Sequence, residues 1–261
     1  MIDMPISNIL TNKAYSTYES KLRKEVLENP VPEHIAIIMD GNRRFAEERG
    51  EDKEEGHRLG SEKLEEVLNW CVEDGIKILT VYAFSLENFK RDEEEVDYLM
   101  DLLEESLIRF ADNRTVHEKK VAINIIGDIS ILPDNVKRAV DYAYERTENY
   151  TDYQLNLAVA YGGRQEITHA VKEVAKKVQN GELDMEDITE EVISKHMYTS
   201  DIPDPDLVLR TSGEVRISNF LLWQLAYSEL YFTDVYWPGF RHIDFLRAIR
   251  TFQQRGRRYG R

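Results

Sequence analysis

The sequence has few of the features that mark secreted or membrane-spanning proteins. It contains one cysteine, Cys71, which excludes an internal disulfide and a cysteine-based metal cluster. No apolar run reaches the roughly 18 to 20 residues that a membrane-spanning helix needs. The N-terminus has no basic start, apolar stretch and small-residue cleavage site. We therefore expect a cytoplasmic protein.

Several common phosphate-binding and catalytic motifs are also missing. The chain has no G-x-G-x-x-G, no G-x-x-x-x-G-K-[ST], no H-E-x-x-H and no G-x-S-x-G. These absences argue against a dinucleotide site, a nucleoside-triphosphate loop, a zinc protease and a hydrolase elbow. A phosphate site in this chain would have to be built from side chains.

The charge distribution is acidic with one basic exception. The formal net charge is −15, which argues against a nucleic-acid binder because phosphate-backbone affinity comes from many Lys and Arg contacts. The C-terminal segment 241–261 instead holds seven arginines and one acid. Such a cluster is either a solvated helix face or disordered end, or an anion or partner site.

The pattern of apolar residues predicts one α/β domain over residues 1–261. No linker, repeat or low-complexity stretch divides the chain. Short apolar runs predict strands at 34–39, 78–84, 121–126, 155–160 and 207–209. Helical spacing predicts helices near 12–28, 58–74, 93–112, 134–147, 164–179, 218–228 and 242–255. Their alternation favours a central, mostly parallel sheet flanked by helices, with residues 1–30 as an N-terminal helical extension.

Polar residues follow the predicted strands. In an open parallel sheet the ligand crevice lies beyond the carboxyl ends of the strands. Four strand ends each bring at least one arginine, in segments 40–44, 85–91, 161–164 and 210–218. The arginine fork matches phosphate oxygens, so the pattern predicts a crevice for one or two diphosphates. The alternative is that each arginine caps a helix or pairs with one of the 49 acids.

Three further features have both a functional and a structural interpretation. Asp40 suits a magnesium diphosphate, since Mg²⁺ prefers one or two carboxylates with phosphate oxygens and water, but it could equally be a turn residue. His57 would donate to a phosphate or cap the following helix. The acidic stretch 92–97 is interpreted as a solvated first helical turn without chemistry.

Five blocks of sequence carry a family resemblance. They are HIAIIMDGNRRFA at 34–46, LTVYAFSLENFKR at 79–91, NLAVAYGGRQEI at 156–167, DLVLRTSGEVRISNFLLWQLAYSELYFTDVYWP at 206–238 and RRYG at 257–260. In this order they resemble the cis-prenyltransferases of the undecaprenyl or dehydrodolichyl diphosphate synthase type. Arg43 stands where bacterial members usually have Gly, so the chain is most similar to archaeal and eukaryotic members.

The resemblance implies a fold, a reaction and partners. It implies a homodimer whose sheet and helices enclose a hydrophobic tunnel. It implies repeated cis condensation of isopentenyl diphosphate onto an allylic diphosphate, with Mg²⁺. The expected primer is geranylgeranyl diphosphate, with farnesyl diphosphate second, and the expected product is near undecaprenyl length, the precursor of a glycosyl carrier lipid. A lipid product also implies peripheral contact with a membrane.

The resemblance also assigns roles to residues. Asp40 and Asn88 would be catalytic, and Asp40 and Glu229 would hold the metal. The amide of Asn88 is a poor base, so we expect it to orient the diphosphate oxygen or water that takes the proton. Residues expected at the allylic diphosphate are Gly41, Asn42, Arg43, Arg44, Phe45, Lys53 and His57, with Ser85, Leu86, Glu87, Phe89 and Arg91 in a mobile stretch above it. Residues expected at isopentenyl diphosphate are Arg210, Arg216, Ile217 and Ser218, with Arg258 and Gly260 of an Arg-x-Gly element reaching across the dimer.

Other interpretations remain open at this point. A non-catalytic partner subunit would keep the fold and lose active-site residues, whereas those named above are present. A short-chain synthase that stops after one addition would carry the same motifs, and a nucleotide-binding module could use the same arginines. The resemblance implies that Ile123, Ile125 and helix residues around 99–107 line the tunnel; without the resemblance, each would be interpreted as an ordinary core residue.

Overall fold

The strands form one parallel sheet. The computed structural model describes the backbone of residues 6–255 and the side chains of residues 15–255. Within that range six strands pair in the order β3-β4-β2-β1-β5-β6, and every ladder is parallel. Their bounds are β1 His34–Ile38, β2 Ile78–Ser85, β3 Val121–Ile126, β4 Tyr153–Tyr161, β5 Leu207–Arg210 and β6 Glu229–Phe232. The predicted α/β class is confirmed.

Helices connect and cover the strands. Their bounds between residues 6 and 255 are α1 Ile6–Leu27, α2 Asn42–Arg49, α3 Lys53–Asp74, α4 Glu93–Ala111, α5 Arg114–Glu118, α6 Asp134–Thr147, α7 Gly163–Gln179, α8 Glu190–Ser194 and α9 His242–Arg255. No helix in this part of the chain combines the length and the apolar character that crossing a bilayer requires.

The two faces of the sheet are buried in two clusters. Alternate residues of a strand point to opposite faces. Ile35 and Ile37 of β1 belong to a large core with apolar side chains of α1, α3, α4, α6 and α9. Ala36 and Ile38 face a smaller cluster that includes Phe220. Burial of both faces explains why β1 consists almost entirely of apolar residues.

The predicted helix at 218–228 is wrong. Ser218, Asn219 and Leu221 have positive φ angles of 47°, 64° and 44°, which a right-handed helix does not accommodate. The backbone carbonyl of Asn219 accepts a bond from Gly163 N and its side chain one from Arg164 N, so this segment caps the start of α7. Only a 3₁₀ turn, Gln224–Tyr227, is helical there. The strand that follows, β6, was not predicted.

Candidate active site

The predicted functional residues that follow β1, β2 and β5 lie together at one edge of the sheet. β1 lies between β2 and β5, so residues after these three strands are neighbours. Asp40 follows β1, and its backbone N–H donates to Thr211 Oγ1 at 2.9 Å, while that hydroxyl donates to Asp40 O at 2.6 Å. These bonds fix the turn after β1 to the turn after β5.

The Asp40 carboxylate lies between two arginines. Its Oδ2 is 2.7 Å from Arg210 Nη2 and its Oδ1 is 3.3 Å from Arg44 Nη2. Burial acts to raise the pKa of Asp40, but hydrogen bonds from Arg210 and Ser212 and the charges of both arginines outweigh it, so this pKa lies below its ordinary value. Asp40 is therefore an anion with one quarter of its side chain, 26%, exposed to the crevice.

Gly41 allows α2 to begin directly after Asp40. Its φ of 104° is in the region that side chains disfavour, and a Cβ there would lie 2.7 Å from Tyr236 Cδ1 and 2.9 Å from Ser212 Cβ. The turn places Asn42, Arg43 and Arg44 in the first turn of α2. Arg44 also donates to Ser212 Oγ at 2.6 Å, which fixes its guanidinium over the crevice.

A buried carboxylate, Glu95, lies within ion-pair distance of the basic residues on the α3 side of the crevice. It is 2% exposed and begins the buried face of α4. Its Oε1 is 2.8 Å from Arg91 Nη1 and 3.5 Å from His57 Nε2. Its Oε2 is 3.3 Å from Lys53 Nζ and 3.8 Å from Arg43 Nη1. One anion therefore orients four of the residues predicted to meet the allylic diphosphate.

The cations set the protonation of Glu95 and His57. Burial acts to raise the pKa of Glu95, but Lys53, Arg91 and Arg43 together lower it, so this carboxyl is ionised. Burial, assisted by the charge of Arg91, lowers the pKa of His57 although Glu95 opposes the shift. His57 is therefore neutral at pH 7, and its buried Nε2 has no hydrogen-bond partner in the described part of the chain.

The segment after β2 forms a 3₁₀ helix, Leu86–Lys90, above the crevice. Asn88 Oδ1 accepts a hydrogen bond from Ser85 N at 2.9 Å. This bond fixes the side chain of Asn88, which lines the crevice. Glu87 also lines the crevice. Phe89 instead packs against Phe84, with ring centroids 4.8 Å apart, and Leu86 packs against the core.

A second basic group lies on the β5 side. Arg210, Arg216 and Ser218 line the crevice, and Arg210 Nη1 donates to Ser218 Oγ at 2.8 Å. Arg216 forms an ion pair with Glu214. Five of the described residues predicted to meet substrate do not line any crevice or cavity described below: Phe45, Lys53, Leu86, Phe89 and Ile217. Ile217 supplies a carbonyl to Phe220 N, and Phe45 lies beneath the Arg49 guanidinium.

Three adjoining spaces meet at this edge. A wide crevice of about 1270 Å³ lies along Asp40, Arg91, Arg210 and Arg216, and a smaller one of about 650 Å³ lies along α2. A third, largely apolar cavity runs inward between α3, α4 and the sheet; its empty space, including the solvent at its mouth, is about 640 Å³. Met39, Asn42 and His57 line all three. The apolar cavity therefore opens directly onto the charged crevice.

The apolar cavity agrees in part with the expected tunnel lining. From α4 it is lined by Leu99, Leu102, Leu103, Ser106 and Phe110, which share one helix face. The predicted range 99–107 therefore includes lining residues. Ile123 and Ile125 of β3 do not line it; they belong to the core beside α6.

The donor groups at the crevice fit a hard cation that arrives with phosphate. Among the described residues, no group of three or more His, Cys, Asp or Glu is placed to hold a metal. Asp40 is one partly exposed carboxylate beside arginines, so phosphate oxygens and water would supply the other ligands of Mg²⁺. Glu229 begins β6 opposite Leu207, about 10 Å along the sheet from the level of Arg210, and pairs with Arg255 at 3.2 Å. Within one protomer, the structure does not bring Glu229 to Asp40.

One predicted element cannot be located in the described structure, and one residue of the site was not predicted. Arg258 and Gly260 lie beyond the described residues. Glu95 was assigned to a solvated acidic turn, whereas it is buried and central to the site. Its signal was spacing, because Glu95 comes four residues after Arg91 and four before Leu99, on the inward face of α4.

Comparison with known proteins decides the family. A family model described as "Putative undecaprenyl diphosphate synthase" matches residues 38–260. The chain belongs to the undecaprenyl diphosphate synthase family. The matched range includes every strand-end residue described above, and membership of the cis-prenyltransferases, inferred from five sequence blocks, is confirmed.

Individual members of the family are similar over nearly the whole chain. A protein of Methanocaldococcus jannaschii, named tritrans,polycis-undecaprenyl-diphosphate synthase (geranylgeranyl-diphosphate specific), is 54% identical over 94% of this chain and 88% of its own. A protein of the same name from Pyrococcus furiosus is 54% identical over 98% of this chain and 97% of its own. Among solved structures, lavandulyl diphosphate synthase from Lavandula x intermedia, in complex with dimethylallyl diphosphate, gives a TM-score of 0.84 at 36% identity over 88% of this chain and 99% of that one.

Proposed function

We propose that this cis-prenyltransferase is a long-chain polyprenyl diphosphate synthase. It adds isopentenyl diphosphate repeatedly, in cis geometry, to geranylgeranyl diphosphate and yields a product near undecaprenyl length, the precursor of a glycosyl carrier lipid. The observation that carries the proposal is the apolar cavity that opens onto a crevice with basic groups on both sides of Asp40. The geranylgeranyl-diphosphate specificity in the names of the Methanocaldococcus jannaschii and Pyrococcus furiosus relatives supports the choice of primer.

The two basic groups suit two diphosphates. Arg43, Lys53, His57 and Arg91 would bind the allylic diphosphate beside the mouth of the apolar cavity, with Arg44 and the N-terminus of α2. Arg210, Arg216 and Ser218 would bind isopentenyl diphosphate on the β5 side. In this arrangement the hydrocarbon of the primer would lie in the cavity, and its reactive carbon would lie near Asp40 and Asn88.

The proposed reaction forms one bond and breaks two. C4 of isopentenyl diphosphate bonds to C1 of the allylic substrate, the C1–O bond to diphosphate breaks, and a proton leaves C2. Mg²⁺ bound with the diphosphate at Asp40 would neutralise charge on the leaving group. Arg43, Arg44 and Arg91 would stabilise the same charge, and Asn88 would orient the diphosphate oxygen or water that takes the proton. The roles of Gly41, Phe45, Leu86, Phe89 and Ile217 in binding stay predictions, as does metal binding by Glu229.

We also propose that the enzyme works as a homodimer. The basic segment 241–261 contains Arg258-Tyr259-Gly260, the element that the family resemblance places on a substrate phosphate across the dimer. Arg258→Ala should then raise the KM for isopentenyl diphosphate about tenfold without changing the molar mass measured by light scattering. Because the product is a lipid, peripheral contact with a membrane is part of the proposal, and flotation with lipid vesicles tests it.

Product analysis tests the proposed function. The purified protein is incubated with Mg²⁺, labelled isopentenyl diphosphate and, separately, geranyl, farnesyl and geranylgeranyl diphosphate, and the extracted products are sized. We expect a ladder that ends near undecaprenyl length, most efficiently from geranylgeranyl diphosphate, and no product in EDTA. A single addition would instead indicate a short-chain synthase. No incorporation with any primer would contradict the proposal and favour a non-catalytic subunit.

A further inference from the structure

The wall of the apolar cavity contains an unexpected pair of polar side chains. Beyond its mouth, where Asn42 and His57 lie, the cavity is lined mainly by apolar residues. Ser61 of α3 and Ser106 of α4 are the exceptions, and their Oγ atoms lie 2.7 Å apart across the seam between the two helices. A hydroxyl pair at this position needs an explanation, because a better packed apolar pair would close the same wall.

The hydroxyls belong to a hydrogen-bond chain with a defined direction. Ser106 Oγ is 2.6 Å from the carbonyl of Leu102, which can only accept, so Ser106 donates there. Ser106 therefore accepts from Ser61, and Ser61 accepts from Arg109 Nη2 at 2.6 Å. The Arg109 side chain is 39% exposed. The chain thus runs from the surface of the protein to the cavity lining.

The length of the cavity shows why its wall has to open. Its α4 face, from Leu99 to Phe110, spans about 16 Å at the rise of an α-helix. An extended carbon chain advances about 1.2 Å per bond, so an isoprene unit with four main-chain bonds covers about 5 Å. A primer of four units, about 20 Å long when extended, therefore already takes up the whole length of the cavity. A product of eleven units is about three times too long for it.

The seam at Ser61 and Ser106 is the part of the wall best suited to open. The sheet side, with Phe84 and Leu157, is held by the β2–β4 ladder, and Phe110 at the inner end is 1% exposed. At the seam, two small side chains and the half-exposed Arg109 separate the cavity from solvent. We propose that the Arg109–Ser61–Ser106 chain is a gate between α3 and α4 through which products longer than the primer extend. The gate rests on the proposed function.

A reversible lock tests the gate. The 2.7 Å between the hydroxyls places two sulfurs within reach of a disulfide in the variant Ser61→Cys/Ser106→Cys. The native Cys71 is buried, and burial raises the pKa of its thiol, so it should not react with diamide. After oxidation we expect elongation of geranylgeranyl diphosphate to stop at the first addition at the latest, because the primer already occupies the cavity, and dithiothreitol should restore the long ladder. Single Ser61→Cys and Ser106→Cys variants, treated alike, should show no difference between oxidised and reduced samples.

Two results would overturn the gate. One is a long ladder from protein whose cross-link is complete by mass spectrometry. The other comes from Ser61→Ala, which interrupts the hydrogen-bond chain without a cross-link and tests the gate even if the cysteines do not pair. Its products should be longer than those of wild type by at least one isoprene unit. An unchanged distribution of product lengths would contradict the gate. Wild-type protein is run beside each variant, because a missing wild-type ladder contradicts the proposed function, whereas a wild-type ladder with unmoved variants contradicts the gate.

Discussion

Arg210 Nη2 lies 2.7 Å from Asp40 Oδ2, and this contact joins the ends of two neighbouring strands. The Arg210 side chain is 5% exposed, so it is buried against the same carboxylate that faces the crevice. The pair has a structural role and an electrostatic one: it links the turn after β1 to the end of β5, and it lowers the pKa of Asp40 so that this carboxyl is ionised.

Replacement of Asp40 separates these roles. Asp40→Asn keeps the size of the side chain and removes its charge. We expect the rate of isopentenyl diphosphate incorporation to fall by about 10²-fold or more, because the neutral amide no longer holds the Mg²⁺ proposed to neutralise the leaving diphosphate. Circular dichroism should show an intact fold. Asp101→Asn, an exposed residue of α4, is the control and should keep the wild-type rate; equal rates in both variants would contradict a catalytic role for Asp40.

The buried Glu95 should matter for substrate positioning. In Glu95→Gln, the cations Lys53 and Arg91 lose the anion that orients them, so we expect kcat/KM for the allylic substrate to fall about tenfold or more. The KM for isopentenyl diphosphate should change less. Glu94→Gln alters the exposed neighbour in the same turn and should behave as wild type. Steady-state kinetics with each substrate varied in turn measure these constants. Equal kcat/KM values for Glu95→Gln and Glu94→Gln would contradict a positioning role for Glu95.

Close approach of α2 and α3 should make Gly56 intolerant of substitution. A Cβ on Gly56 would lie 2.2 Å from the backbone oxygen of Asn42. Gly56→Ala gains about 1 kcal/mol of helix propensity, yet the clash forces α2 to move, so we expect a net loss of about 1–3 kcal/mol in the free energy of unfolding, measured with urea. Activity should also fall, because α2 carries Asn42. The exposed Glu62→Ala in α3 should change stability by no more than about 0.5 kcal/mol.

A histidine far from the crevice should make stability depend on pH. His242 Nε2 lies 2.8 Å from the buried Asp74 Oδ2, and Glu19 and Arg23 face the same cluster. Burial acts to lower the pKa of His242, but Asp74 and Glu19 raise it overall. A raised pKa in the folded state gives stabilisation that is complete below about pH 6.5, the unfolded value, and is lost as the pH rises through the folded pKa.

His242→Gln tests this dependence. The Tm difference between wild type and variant should be larger at pH 6 than at pH 9, since only the protonated ring gains from Asp74. His196→Gln is a suitable control, because that ring contacts the Val192 carbonyl and lies outside the cluster. A Tm difference that does not change with pH would show that His242 acts only through packing on Trp70.

Periodicity predicted those elements whose burial is simple. Strands such as β3 at 121–126 and helices such as α6 at 134–147 have one continuous apolar pattern, and the structure matches them. The segment 218–228 has a similar pattern, but it buries Phe220 and Leu221 from a loop whose left-handed residues no propensity reveals. The local pattern of apolar residues therefore predicts which residues are buried, but it does not predict the backbone conformation that buries them.

The site residues that directly follow strands could be predicted from the sequence, whereas the site residues on other elements were harder to predict. Asp40, Arg91 and Arg210 follow strands of a parallel sheet, so topology alone brings them together. Glu95 was missed because an acid in a first helical turn is usually solvated, and only tertiary packing buries this one. Glu229 could not be placed because β6 itself was not expected.

The separation of charge from apolar lining has a consequence for how such enzymes diversify. Most charged residues that line the crevice lie in the segments after β1, β2 and β5, whereas the apolar cavity is shaped mainly by one face each of α3 and α4. Substitutions on the helix faces can therefore alter the hydrocarbon that is accommodated while the strand-end chemistry stays constant. A lineage could explore new lipid lengths one helix residue at a time without passing through an inactive ancestor.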